Sequence, residues 1–297
     1  MKIHLVDGTY ELFRSFFGAP PHRAPDGREV GATLGLLNSL LALLTRSRAT
    51  HVACAFDHVI ESFRNDLFSG YKTSDGVPPE LMAQFPLAEE AVAALGIVVW
   101  PMVEFEADDA IASAAIRFRS EPGVEQVVIC SPDKDFAQLV SGTHVVCWDR
   151  RREITYDEPA VSVKFGVSPA SIPDWLALVG DAADGYPGVP GWGAKSAATV
   201  LSRYEHLESI PEDPRLWGLG TARALRLAES LKAHREEVRL YRRLATLRPD
   251  VPLDDRIADL EWRGARDRLK PLCRELGDDK LVERVPRWIS GGDHGHA

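Results

Sequence analysis

The chain has 297 residues, 45% of them hydrophobic, which is enough to bury one large core or two smaller ones. Its formal charge of −9 does not exclude a phosphate-bearing partner: setting nine clustered acids aside leaves 35 against 35 Lys plus Arg, and local patches rather than totals govern contact. No apolar run approaches the roughly 18–20 residues of a membrane span.

Met1 to Val6 run straight into a strand-like segment, so no signal peptide is expected. Residues 2–6, 52–56, 97–100, 125–130 and 144–147 are short and rich in β-branched residues, as buried parallel strands should be. Helical patterns over Gly31–Leu44, Pro79–Leu95 and Ala107–Phe118 alternate with them, which predicts an α/β sheet with helices on both faces. The four cysteines, Cys54, Cys130, Cys147 and Cys273, lack paired CxxC spacing, which favours core thiols and a reducing, cytoplasmic location over zinc ligands or disulfides. Beyond about residue 160 the pattern turns helical, over Asp174–Val179, Ala194–Tyr204, Leu219–Leu244 and Arg263–Leu276. The tail 291–297 is predicted to be disordered.

Nine acids stand at the ends of these elements: Asp7, Asp57, Glu106, Asp108, Asp109, Asp133, Asp135, Asp181 and Asp184. Acids at strand ends converge on one edge of a sheet, where they repel one another unless a cation sits among them. An all-oxygen set suits hard divalent ions such as Mg²⁺ or Mn²⁺, and the chain reads as a two-metal phosphoryl-transfer enzyme. Each cluster also has a plainer reading. Glu106, Asp108 and Asp109 open a helix and could simply cap it. Asp133 and Asp135, in Ser131-Pro132-Asp133-Lys134-Asp135, suit an ordinary turn. Asp181 and Asp184 follow a helix C-terminus, where the dipole disfavours negative charge and a compensating cation is expected.

The glycine-rich stretch Gly185–Ser196 leads into a helix. Gly188, Gly191 and Gly193 would let phosphate oxygens approach backbone N–H groups, with Lys195 and Ser196 beside them, although a tight interhelical turn explains the same residues. Preceded by the acid pair, a helix-hairpin-helix gripping a DNA backbone is the better reading. Arg64 and Lys72 are surface charges by default; beside so many acids they could instead admit a polyanion and stabilise charge on a scissile phosphate. Tyr71 could stack on a base or pack in the core.

The ordered set Leu-Val-Asp7-Gly, Ala-Phe-Asp57, Phe-Arg64 with Gly-Tyr-Lys72, Phe-Glu106-Ala-Asp108-Asp109, Ser-Pro-Asp133-Lys-Asp135 and Gly-Asp181-x-x-Asp184 resembles the bacterial 5′-nuclease family. That family includes flap endonucleases and the 5′–3′ exonuclease domain at the front of DNA polymerase I; the likeness covers residues 1–255, and the chain resembles a stand-alone member. The resemblance implies a PIN-like α/β core with a mostly parallel twisted sheet over 1–165, including an arch segment near 72–90. It further implies a helical region over 166–290 with a helix–three-turn–helix at 174–204. One metal site would take Asp7, Asp57, Glu106, Asp108 and Asp109; the second would take Asp133, Asp135, Asp181 and Asp184, some through water. Arg64 and Lys72 would contact the scissile phosphate, and the turn at 188–196 would bind duplex backbone, with K⁺ there in some relatives. The implied partners are DNA with 5′ flaps, overhangs or nicks and, functionally, a polymerase and a ligase, for a monomeric, membrane-free enzyme.

Two departures from the family pattern stand out. Gly185 replaces an Asn common after the last acid, and the segment after Lys72 is less basic than in many polymerase-linked members. The implied reaction is two-metal phosphodiester hydrolysis, with ions about 4 Å apart, leaving a 5′-phosphate and a 3′-hydroxyl. The competing readings are a catalytically weak flap-DNA binder, an RNA-directed nuclease and, last, a small-molecule phosphatase.

Overall fold

The computed structural model describes residues 1–289; the predicted disordered tail at 291–297 lies outside them. Strand β1 (Lys2–Asp7) leads into helices α1 (Gly8–Gly18) and α2 (Gly31–Thr45), then β2 (His51–Asp57). Short helices α3 (Phe63–Leu67) and α4 (Pro79–Met82) precede α5 (Phe85–Ala94), β3 (Val98–Met102), α6 (Ala107–Phe118) and β4 (Gln126–Cys130). A 3₁₀ turn at Asp135–Leu139 leads to β5 (Val145–Asp149), β6 (Ile154–Tyr156) and α7 (Glu158–Phe165). The rest is helical: α8 (Ile172–Val179), α9 (Ala194–Tyr204), α10 (Thr221–Ala233), α11 (Arg235–Ala245), α12 (Leu269–Leu276) and α13 (Lys280–Glu283).

The six strands form one sheet in the order β3-β2-β1-β4-β5-β6, parallel except for β6. Both faces are covered, so the strands read as continuous apolar runs. Ile3, Leu5, Ala53, Ala55, Val127 and Ile129 point to one core, which α6 and the helical region share. Val6, Val52, Cys54, Phe56, Val128 and Cys130 point to the other, filled from α1, α2, α5 and α12. All four cysteines are buried and unpaired, as their spacing predicts. The chain order reverses at β1, which pairs with β2 on one side and β4 on the other. In open α/β sheets that switch point is where ligands collect, outside the carboxyl ends of the strands.

Several predicted helices are shorter than the pattern implied. Pro79–Leu95 divides into α4 and α5, because Pro86 has no N–H to donate and sits in the first turn of a new helix. Leu81, Gln84 and Phe85 are buried, so only about 73–80 of the segment expected as an arch is largely exposed. Leu219–Leu244 breaks at His234, whose φ of −112° and ψ of 33° leave the helical region. In Arg263–Leu276 only Leu269–Leu276 is helical, since Trp262 donates its N–H to the Thr50 carbonyl and Ala265 pairs with Trp288. Helices α1, α3, α7 and α13 and the edge strand β6 lie outside the patterns read from the sequence.

Helices α8 and α9 are joined by the glycine-rich turn. Gly188 holds φ at +72°, and a Cβ there would stand 2.5 Å from both the Gly180 nitrogen and the Val179 carbonyl carbon. Gly188→Ala is therefore expected to cost about 1–3 kcal/mol from backbone strain alone, with the clash in addition. A urea denaturation midpoint unchanged from wild type would contradict this account of the turn.

Candidate metal centre

Asp7 ends β1 and caps α1, accepting the Tyr10 N–H on Oδ1 at 2.8 Å and the Ser131 hydroxyl on Oδ2 at 2.9 Å. Ser131 Oγ in turn accepts the Asp133 N–H, so β1 and the loop after β4 are tied through these acids. Asp57, at the end of β2, accepts the Ala107 N–H at 2.8 Å, which sets the start of α6 over that strand. Asp108 lies in the first turn of α6 and is half-buried. Asp7, Asp57 and Asp108 thus stand at the switch point near enough to repel one another.

Asp109 and Arg64 have a different job from the one the motif pattern implied. Arg64 is 1% exposed and Asp109 0%. Their side chains form a two-pronged pair, Nη1 to Oδ2 at 2.7 Å and Nη2 to Oδ1 at 2.8 Å. Asp109 also accepts the N–H groups of Glu106 and Arg248, so its oxygens are engaged by protein donors rather than open to a metal. Arg64 Nε donates to the Leu244 carbonyl at the end of α11, and no face of the guanidinium is open to a phosphate. Glu106 takes part in the capping that the plainer reading allowed, but it also accepts Ser62 Oγ at 2.7 Å and the Lys72 ammonium at 2.8 Å. Tyr71 is 3% exposed, with its hydroxyl donating to Glu106 at 3.3 Å; it is a core residue, not a platform for a base.

The second group lies across the site. Asp135, Asp181 and Asp184 each place a carboxylate oxygen within 4.8 Å of the others. The last two sit on a tight loop closed by reciprocal backbone bonds between Asp181 and Tyr186, at 2.8 and 3.1 Å. The cations expected beside this pair are present: Lys134 reaches Asp181 at 2.5 Å, and Lys72 reaches Asp184 at 3.3 Å. Sequence reasoning missed Lys134, although it stands between two of the acids in the motif. Asp133 is exposed at the rim of the site.

Burial drives the electrostatics. It pushes the Asp7 carboxyl up to about 7, with Asp57 and Asp133 adding repulsion. Asp57, Asp108, Asp135 and Asp184 are raised for the same first reason, Asp108 and Asp135 well above the usual range. Glu106 moves the other way, because Lys72 and Arg64 outweigh its burial. Asp135 Oδ1 is buried with no hydrogen-bond partner, a costly state for a carboxylate in a protein interior. A hard divalent cation answers both the repulsion and the orphaned oxygen, so this donor set fits such an ion.

Two abutting family models match residues 2–268: the N-terminal resolvase-like domain of 5′–3′ exonucleases over residues 2–166, and their C-terminal SAM fold over 167–268. The chain belongs to the 5′–3′ exonuclease family. The 5′–3′ exonuclease of Aquifex aeolicus is 32% identical over 96% of this chain and 95% of its own length. The Bacillus subtilis 5′–3′ exonuclease is also 32% identical, over 96% of this chain and 97% of its own. DNA polymerase I of Bacillus caldotenax is 34% identical over 96% of this chain, but the match covers only 32% of that protein. This chain thus spans about a third of the polymerases it matches. Among solved structures, zinc-bound T5 5′-exonuclease superposes with a TM-score of 0.65 over 96% of this chain and 97% of its own, at 17% identity. Flap endonuclease-1 from Methanococcus jannaschii gives 0.56 over 95% and 90%, at 16%. These two likenesses establish a common fold.

The family's frequent Asn after the last acid is impossible here without rearrangement. Gly185 holds φ at +89°, and a Cβ would stand 2.1 Å from the Gly70 carbonyl oxygen. That contact accompanies the Lys72 N–H bond to the Asp184 carbonyl at 3.0 Å, so the loop after α8 is stitched to the Lys72 segment by backbone rather than by an amide side chain. Of the expected DNA-gripping residues, Gly191 and Lys195 are exposed and Gly193 is half-buried at the N-terminus of α9. Gly188 is buried, and so is Ser196, 1% exposed with its hydroxyl accepting Arg223 at 2.7 Å; neither side faces a ligand.

The buried pair and the raised acids each carry a test. Arg64→Ala leaves the buried Asp109 without its counter-ion and should destabilise the fold by about 3–5 kcal/mol, read from chemical denaturation. Asp7 has a folded pKa near 7 against an ordinary 3.8, so its contribution favours folding below about pH 4 and is lost as pH rises through 7. The metal-free protein should accordingly lose thermal stability between pH 5 and pH 8, and Mg²⁺ or Mn²⁺ should restore it at pH 8 far more than at pH 5. Equal stabilisation by the ion at both pH values would count against ligation by these carboxylates.

Proposed function

We propose that the protein is a metal-dependent, structure-specific 5′ nuclease that hydrolyses phosphodiester bonds of DNA bearing 5′ flaps, overhangs or nicks. The observation that carries this reading is the pair of opposed acid groups at the switch point, bridged by one lysine: Lys72 contacts Glu106 on one side and Asp184 on the other. Asp7, Asp57 and Asp108 would hold one divalent ion, Mg²⁺ or Mn²⁺, and Asp135, Asp181 and Asp184 a second, with Asp133 acting at the rim. When bound, such ions polarise a phosphodiester and supply hydroxide at neutral pH.

The chain's own groups do the rest. Lys72 is the only one of the two motif cations with access to the site, its side chain 27% exposed against 1% for Arg64. Its ammonium balances acids of both groups and is placed to turn towards a phosphate once divalent charge replaces it there. Arg64 acts at one remove, fixing Glu106 and thereby Lys72. Gly191, Gly193 and Lys195 offer an exposed helix start and a positive charge to a duplex backbone. K⁺ at that turn, a functional link to a polymerase and a ligase, and a monomeric state belong to the same proposal.

Asp135→Asn and Asp181→Asn each remove an anionic ligand while keeping shape. Loss of several kcal/mol of metal-derived stabilisation corresponds to a fall of about 10²–10³-fold in cleavage of a labelled 5′-flap duplex. Flap binding without divalent ions should persist in both variants. Near-normal turnover by either would remove the second ion from the mechanism, and wild-type binding without product in Mg²⁺ and in Mn²⁺ would make the protein a flap binder instead. Parallel RNA and DNA flaps decide the strand chemistry, and Na⁺ in place of K⁺ tests the turn.

A further inference from the structure

A cavity of about 350 Å³ opens on the α2 face of the sheet where that helix ends. It is distinct from the metal centre: Lys2 and His4, on its wall, stand towards the amino end of β1, opposite Asp7. Arg48 enters from the loop after α2, Gln126 and Val128 from β4, and Trp148 from β5. Among the described residues no Asp or Glu lines it, although the whole chain carries nine more acidic than basic charges. The cavity wall is therefore locally positive.

His4 lines the inner wall; it is 7% exposed, and its Nδ1 is closed off from the cavity and has no hydrogen-bond partner among the described residues. Burial first, and then the charges of Lys2 and Arg150, pull the imidazole down to about 4, so the ring is neutral and adds no charge to the wall. Beside the imidazole, the half-buried Trp148 ring and Val128 make an apolar wall. Gln126 adds an amide able to read a polar edge, and Lys2 and Arg48 are suited to charge-assisted bonds with phosphate oxygens. The volume lies at the low end for ligand pockets, room for one nucleotide and not for a strand of several.

We propose that this cavity binds a nucleoside 5′-monophosphate, with the phosphate between Lys2 and Arg48 and the base against Trp148. Mononucleotides of this class are the smallest products a 5′ exonuclease releases, so the site would sense product; that clause alone rests on the proposed function. Binding itself needs no metal, because among the described residues the wall holds no carboxylate.

Calorimetric titration of the full chain with deoxyadenosine monophosphate in EDTA tests the site with the metal centre silenced. Saturable one-to-one binding is expected, weakened about tenfold or more by Lys2→Glu or Arg48→Glu. Both side chains are exposed, so neither change threatens the fold. The Asp135→Asn variant should keep wild-type affinity, which separates this site from the nuclease reading. Inorganic phosphate and deoxyadenosine alone should each bind more weakly than the nucleotide. Absence of saturable binding, unchanged affinity in both charge-reversed variants, or phosphate binding as tightly as the nucleotide would overturn the proposal.

Discussion

Mutual repulsion among buried carboxylates at the switch point of the sheet is the constraint on which the rest of this structure depends. A parallel sheet covered on both faces brings the ends of β1, β2 and β4 together, and the sequence places an acid at or just beyond each one. Burial then raises five of them above their ordinary range. Such a cluster opposes folding unless charge of the other sign is supplied, and the chain supplies part of it. Lys72, Lys134 and Arg64 are each drawn into contact with one or two of the acids. What they leave unbalanced is the capacity of the site for divalent ions.

The Arg64–Asp109 pair shows how that balance also holds the molecule together. A fully buried ion pair is poor evidence of net stability, since desolvating both charges offsets most of their attraction. Its value here is positional. Asp109 fixes the first turn of α6, and Arg64 reaches from α3 to the carbonyls that end α11, where a positive charge complements the helix dipole. The sheet-bearing core and the helical region are thereby joined immediately behind Glu106. A shift of α11 would be felt at Lys72 through two side chains.

Much of this was legible in the sequence. The strands with acids at their ends could be read because buried parallel strands are short apolar runs, and because position along a parallel strand fixes which edge a residue reaches. Asp7 and Asp57 followed from that rule alone. Pairing partners could not be read. Nothing local distinguishes Asp109 from Asp108, yet helical geometry turns one inward to Arg64 and leaves the other half-buried towards the site. Tyr71 and Ser196 stay open in the sequence for the same reason: a residue type suited to nucleic acid is equally suited to a core hydrogen bond, and only tertiary packing chooses. The over-long helices were errors of a different kind, in which apolar spacing persisted across breaks made by Pro86 and by the His234 turn.

The distribution of charge also explains why the nine acids are not nine equivalent ligands. Asp109 is satisfied by a guanidinium and two backbone N–H groups. Glu106 is held ionised by Lys72 and Arg64, and it contacts Lys72, which reaches Asp184 on the other side. The acids pushed upward are Asp7, Asp57 and Asp108 on one side and Asp135 and Asp184 on the other, so the excess negative charge falls into two separate places. A single divalent ion placed among the first three would leave the buried, partnerless oxygen of Asp135 unanswered. The charge pattern is therefore consistent with the two cation positions proposed above, and the grouped acids Asp135, Asp181 and Asp184 carry the stronger geometric support.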